Sequence, residues 1–303
     1  MYQLQLFEHN QPDRVVNVAS VPQRSPFRYA GGKTWLVPRV RRWLAQHTRE
    51  RADLHPVMIS EFIEPFAGGG IVSLTVAAEQ LADHVTMVEL DEDVSAVWQT
   101  VLDPTGSEWL AQRILTFNLN YHSVQSLLKE TPATTQEHAF VTIVKNRTLH
   151  GGIMAPGAGL IKRGENDKGI ASRWYPETLA RRIRDIAKLH DRITFIQGDG
   201  FAVLEANADR DDTAFFIDPP YTVKGNGKRA GKRLYRYNDV DHERLFALAE
   251  TIRGDCLLTY DVADEVRTLA IRHHLNYQPV AMKNTHHATM DEYLIGPNLA
   301  WLE

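Results

Sequence analysis

The segment that most constrains the fold runs Phe62-Ile63-Glu64-Pro65-Phe66-Ala67-Gly68-Gly69-Gly70. The apolar, β-branched stretch Val57–Ile63 predicts a buried strand. It enters a tight glycine turn, and Ile71–Leu81 then patterns as a helix. Val85–Leu90 predicts a second strand that ends in acid. Strand, glycine turn, helix and strand follow one another in the alternation of an α/β fold. Glycines in such a turn let backbone come close to a ligand where a Cβ would clash. Glu89 closes the second strand 19 residues after Gly70, where a carboxylate accepts hydrogen bonds from ribose hydroxyls. The pair implies a nucleoside-containing cofactor without choosing which one. Gly68 to Ser73 comes close to a dinucleotide fingerprint, but Ser73 stands where a last small residue belongs.

Strand and helix alternate again near the C-terminus. Ile193–Gln197 and Ala214–Ile217 predict strands, His242–Arg253 a helix, Cys256–Tyr260 a strand and Asp264–His273 a helix. Two more strands are expected near Tyr277–Lys283 and Glu292–Ile295. The expected fold is therefore α/β, a doubly wound Rossmann-like sheet. The stretch between interrupts the alternation: residues 94–130 pattern as helices, Lys145–Arg173 is Gly-rich and basic with little period, and Pro176–Leu189 is an amphipathic helix. This implies a discontinuous catalytic domain, 1–95 with 190–303, and a mainly helical insertion at 96–189. Near the start, Thr34–Gln46 predicts a helix whose first turns Pro38 disturbs. Ala30-Gly31-Gly32-Lys33-Thr34 resembles a phosphate loop, but Phe27 stands at the first glycine and no strand precedes it.

Composition narrows the partners. Asp and Glu number 38 against 34 Lys and Arg, a net charge of −4, so contact with nucleic acid must use local basic patches. The lone cysteine, Cys256, rules out an intrachain disulfide and a cysteine zinc cluster. No apolar stretch is long enough for a membrane span, and a reducing cytoplasm is the expected setting. His286-His287 has no third ligand spaced nearby, so no metal is expected.

Asp218-Pro219-Pro220-Tyr221 follows the apolar strand Phe215-Phe216-Ile217, at the edge where open α/β sheets bind ligands. The two prolines stiffen the backbone and leave it only acceptors. A carboxylate, backbone carbonyls and a phenol ring at one corner suit methylation of an exocyclic amino group. The nitrogen lone pair is delocalised into the base ring. Two acceptors on its hydrogens, Asp218 and the Pro219 carbonyl, favour a pyramidal nitrogen, while the Tyr221 ring stacks on the base. Positioning and electrostatics then supply most of the acceleration, and the base must leave the duplex to reach the corner.

These segments resemble the Dam-type DNA adenine methyltransferases. The resemblance covers PFRYAGGK, FIEPFAGGG, Glu89, Gly198-Asp199, the DPPY corner and the terminal EYLI, in the order that places target recognition between the cofactor turn and the tetrapeptide. It implies a class I methyltransferase sheet, S-adenosylmethionine as cofactor and double-stranded DNA as partner, with the chain acting as a monomer. It also implies that Tyr29, Lys33, Glu64, Pro65, Phe66, Gly68, Gly70, Glu89, Asp199 and Asp218 line the cofactor site. Tyr29 stands where the family usually has Trp, and Glu89 where it usually has Asp. Asp218, Pro219, Pro220 and Tyr221 match the catalytic corner. The insertion matches no specific recognition hairpin, so the target sequence does not transfer.

Two basic stretches are candidates to face DNA. Lys224, Lys228, Arg229, Lys232, Arg233 and Arg236 follow the corner within thirteen residues, suited to clamp phosphates. Lys145, Asn146, Arg147 and Arg173 mark the insertion, with Asn146 and Arg147 as candidates for base edges. Cytosine N4 methylation uses the same chemistry and stays open. A nicotinamide oxidoreductase explains the glycine turn but leaves the tetrapeptide and the basic stretches without a role. An inactive DNA-binding scaffold leaves the motif acids unexplained. Cytosine C5 methylation needs a thiolate, and Cys256 lies within an apolar strand.

Overall fold

The computed structural model describes residues 18–29, 31–49, 59–155, 157–164, 167–221, 236–237, 239–283 and 289–302. Its frame is one seven-stranded sheet. In chain order the strands are β1 (Glu61–Glu64), β2 (His84–Glu89), β3 (Ile193–Gln197), β4 (Thr213–Ile217), β5 (Asp255–Asp261), β6 (Asn276–Lys283) and β7 (Thr289–Gly296). Their spatial order is β3-β2-β1-β4-β5-β7-β6. The first five run parallel, and β7 inserts antiparallel between β5 and β6. From β1 the chain steps outward through β2 to β3, then returns to lay β4 on the other side of β1. The strand order thus reverses between β1 and β4, which makes the crevice beyond their C-terminal ends the place for a ligand.

The strand β4 shows why this sequence takes the middle. All five of its residues are buried, as a parallel strand covered on both faces requires. Alternate side chains feed two separate cores. Ala214 and Phe216 face a core shared with Phe62, Val85, Met87 and Leu257, while Phe215 and Ile217 face one shared with Ile63, Cys256 and Leu258.

Helices cover both faces. The first core takes α1 (Val37–Arg49), α2 (Ile71–Glu79), α3 (Glu92–Leu102), α4 (Pro104–Thr116), α6 (Thr135–Thr148) and α7 (Pro176–Ala187), with the short α5 (Tyr121–Leu127) against α6. The second takes α8 (Gly200–Asn207), α9 (His242–Thr251) and α10 (Asp264–Arg272). Trp43 Nε1 donates to Asp255 Oδ2 at 2.8 Å, and His47 Nε2 lies 2.8 Å from the same oxygen, which fastens α1 to the start of β5. The helices from the expected insertion share the first core with the sheet: Trp98, Ile114, Phe140 and Ile183 are all fully buried in it.

Three local departures from the sequence expectation have physical reasons. The helix expected from Thr34 divides into a 3₁₀ turn at Lys33–Leu36 and α1, with Pro38 second in α1, where a missing N–H costs nothing. The stretch expected to turn irregular at Lys145 is still helical there, because α6 runs to Thr148. Thr134 and Glu137 cap its start reciprocally. The helix α8 carries no helical hydrophobic period, and the Asp199 carboxylate starts it by accepting from Phe201 N at 3.0 Å. Among the described residues no helix is long and apolar enough to cross a membrane.

Candidate active site

The ends of β1, β2 and β4 open into a cleft of about 1370 Å³. Tyr29, Lys33, Glu64, Pro65, Phe66, Gly68, Gly70, Glu89, Asp199, Asp218 and Pro220 all line it. The structure therefore brings the expected cofactor residues to one place, although they span 190 positions of chain.

The glycine turn is shaped by its neighbours. Gly70 precedes α2 at φ 60°, a left-handed conformation that favours glycine. A Cβ on Gly68 would lie 2.6 Å from the Tyr29 ring, and one on Gly69 would lie 2.7 Å from Tyr29 Cβ. The open face of the turn is thus covered by Tyr29, and Trp98 Nε1 donates to Gly68 O at 3.0 Å from the other side. Glu64 is buried and accepts from the backbone N–H of Ser73 at 3.0 Å and from its hydroxyl. Ser73, the misfit in the dinucleotide pattern, is the partner that burial of Glu64 requires. Burial pushes the Glu64 carboxyl up to about 8, against the pull of Ser73. Glu89 is half-buried and accepts from three backbone N–H groups: Gly68 at 2.8 Å, and Leu90 and Asp91 at 2.9 Å each. Burial pushes it up to about 7, which those donors oppose.

Asp218 follows β4 directly. Its Oδ1 accepts from Thr259 Oγ1 at 2.7 Å and from the Tyr221 hydroxyl at 2.9 Å. Its Oδ2 lies 3.1 Å from Lys33 Nζ. Lys33 is only 3% exposed and also donates to Gly31 O at 2.8 Å and reaches Glu292 Oε2 at 3.5 Å. The Tyr221 ring stacks on Tyr260 with centroids 5.5 Å apart and 22° between planes, and Lys33 Nζ lies 5.0 Å from its centroid. Its hydroxyl also reaches Glu292 Oε2 at 3.3 Å. Burial, with Asp218 and Glu292 beside it, holds the phenol well above its ordinary value, so it stays a donor.

Sequence reasoning missed Thr259, Tyr260 and Glu292. Thr259 and Tyr260 carry no local signal, since they are two residues of an apolar strand. Glu292 lies in the EYLI segment, whose antiparallel register pairs it with Asp261 at the end of β5.

The DNA-facing candidates divide. Lys224, Lys228, Arg229, Lys232 and Arg233 lie outside the described residues. Arg173 lines the cleft. Arg236 lines it too and pairs with Glu92 at 3.1 Å. Lys145 is half-buried on Asp93 at 3.1 Å, with His138 on the other oxygen at 2.6 Å. Asn146 and Arg147 require a correction, because both are buried and neither presents an edge to a base. Asn146 Oδ1 accepts from Arg28 N at 2.8 Å, and its Nδ2 donates to Arg28 O and Gly152 O. Arg147 Nη2 donates to Pro26 O. Burial, with Arg182, Arg28 and Arg173 nearby, lowers the Arg147 guanidinium to about 9. Cys256 faces the second core, and burial pushes its thiol far up, so it offers no thiolate.

Residues 29–143 match the family described as D12 class N6 adenine-specific DNA methyltransferase. The chain is 23% identical over 235 residues to the Type II methyltransferase M.MjaIII of Methanocaldococcus jannaschii, covering 73% of this chain and 77% of that one. Among solved structures it is similar to the rRNA methyltransferase aviRa from Streptomyces viridochromogenes at 13% identity and TM-score 0.34, covering 87% of this chain and 85% of that one. A precorrin-6y C5,15-methyltransferase from Geobacter metallireducens GS-15 matches at 12% identity and TM-score 0.32, covering 85% and 86%.

Proposed function

We propose that the chain, whose residues 29–143 match the D12 class of N6 adenine-specific DNA methyltransferases, is such an enzyme, and that its cleft holds S-adenosylmethionine beside an adenine drawn out of duplex DNA, with Asp218 receiving the amino group. The enzyme methylates N6 of adenine in DNA. One observation carries the proposed site: Asp218 stands at the strand-order reversal, in the same cleft as the glycine turn and Glu89, with its orientation set from three sides.

The donor set fits the cofactor. Glu89 offers a carboxylate for ribose hydroxyls at the end of β2, and Asp199 lies beside the Phe66 and Phe201 walls of the cleft, where a purine edge needs an acceptor. When bound, the cofactor supplies an electrophilic methyl group on a sulfonium. The chain's own residues do the rest. Each carboxylate oxygen accepts two hydrogen bonds. Asp218 Oδ1 is filled by Tyr221 and Thr259, while Oδ2 holds Lys33 and has a second acceptor site. That site takes one amino hydrogen, and the Pro219 carbonyl takes the other. Tyr221 orients the carboxylate. Residues 96–189, with Arg173 at the cleft, serve target recognition, and the chain works as a monomer in the cytoplasm.

The test supplies methyl-labelled S-adenosylmethionine and a randomised DNA duplex, then identifies labelled nucleosides by mass spectrometry. Labelled N6-methyladenine is expected. Labelled N4-methylcytosine would establish the cytosine alternative, and no labelled nucleoside would refute the proposal.

A further inference from the structure

The Lys33 ammonium donates to Gly31 O at 2.8 Å and pairs with Asp218 Oδ2 at 3.1 Å and Glu292 Oε2 at 3.5 Å. The first fixes the side chain, and the other two make it a bridge between carboxylates. Methylation of a neutral amino group forms an N–C bond, breaks the S–C bond and obliges the nitrogen to lose one proton. Asp218 Oδ2 is the first base at hand. A protonated Asp218 can no longer accept an amino hydrogen, so the proton has to move on.

We propose that Glu292 is the positioning residue that receives this proton: Asp218 passes it to Lys33 as Lys33 passes one of its own to Glu292 Oε2. This rests on the adenine-methylation reading above. The balance is complete, since Asp218 is again a carboxylate, Lys33 again an ammonium and Glu292 a neutral acid. Glu292 lines the cleft, which gives the proton an exit to solvent between turnovers. The groups facing it are Lys33 from the 3₁₀ turn, Asp218 and Tyr221 after β4, and Asp261 across from it on β5, while its register partner on β6 is Val280. Burial pushes Glu292 up to about 7, opposed by Lys33 and reinforced by Asp218 and Asp261. A base titrating there is ionised often enough to accept and neutral often enough to release.

The test compares wild type, Glu292→Gln and Glu292→Asp in single-turnover methylation from pH 5.5 to 9. Cofactor affinity is measured by calorimetry, and melting temperature is followed across the same pH range. The wild-type rate should rise through an inflection near 7. Glu292→Gln should bind cofactor normally, lose the inflection and slow about 100-fold. Glu292→Asp should restore an inflection. The melting temperature of Glu292→Gln relative to wild type should rise between pH 5.5 and about 7 and level off above that. A Gln variant that keeps both the inflection and the rate while wild type methylates adenine would overturn the inference alone. Wild type that methylates no adenine would overturn the reading beneath it as well.

Discussion

Asp218 is held by three side chains, and their geometry decides what each can contribute. Thr259 and Tyr221 saturate one oxygen, and Lys33 shares the other. Replacement by alanine removes the acceptor and leaves Lys33, 3% exposed, on Glu292. Asp218→Ala should slow methyl transfer by at least about 10²–10³-fold, the scale of losing one preorganised polar contact. Cofactor affinity should weaken only modestly, because Glu89 and Asp199 are elsewhere in the cleft. Quenched-flow methylation and calorimetry read the two quantities separately, and near-normal transfer would remove Asp218 from the chemistry. The carboxylate was legible in the sequence because prolines and an apolar strand bracket it. Thr259 and Glu292 were not, because they come from strands 41 and 74 residues further on and meet Asp218 and Lys33 only through sheet register.

At the scale of elements, α6 shows where composition misleads. Its last turn carries Lys145, Asn146 and Arg147, which look like a basic surface, yet two of the three are buried against the chain at 26–28. Asn146 satisfies both backbone groups of Arg28, so the helix pins the segment that leads to Tyr29. Asn146→Ala leaves those half-buried groups without this partner, at a cost of about 1–3 kcal/mol. The expected result is a lower melting temperature with the methylated sequence context unchanged. A changed context with unchanged melting would return Asn146 to the DNA interface. Element types were well anticipated: strands β3 and β5 and helices α7 and α9 fall within a few residues of expectation. All of α6 and of α8 escaped, since neither carries a helical hydrophobic period and caps such as Glu137 and Asp199 do not by themselves announce a helix.

At the scale of the whole molecule, the site stores its cost as pH dependence. Glu64, Glu89 and Glu292 sit at about 8, 7 and 7 against an ordinary 4.5. A carboxyl raised on folding contributes stability that is fully present below its unfolded value and is lost as pH rises through its folded value. The protein should therefore lose stability as pH climbs from about 4.5 to 8. Glu64→Gln should melt higher relative to wild type at pH 8 than at pH 5, measured by calorimetry. An offset independent of pH would show that Glu64 is ionised throughout. The same burial explains how a chain of net charge −4 gathers carboxylates at one cleft: low solvation favours their neutral form, and the Lys33 ammonium offsets the charge that remains.

By itself, the sequence determined the alternation of strand and helix at the start, the strand that ends in Asp218, the glycine turn and the kind of chemistry these allow. Each is encoded in a short run of neighbouring residues, or in a few such runs in succession, by hydrophobic period, glycine and proline. Tertiary structure alone decided that Lys33 bridges two carboxylates, that Tyr221 faces Tyr260, that Tyr29 covers the glycine turn, and that Asn146 and Arg147 are interior. Those facts depend on which strands become neighbours and which helix face turns inward, and no local pattern records the partners that a crossover brings together.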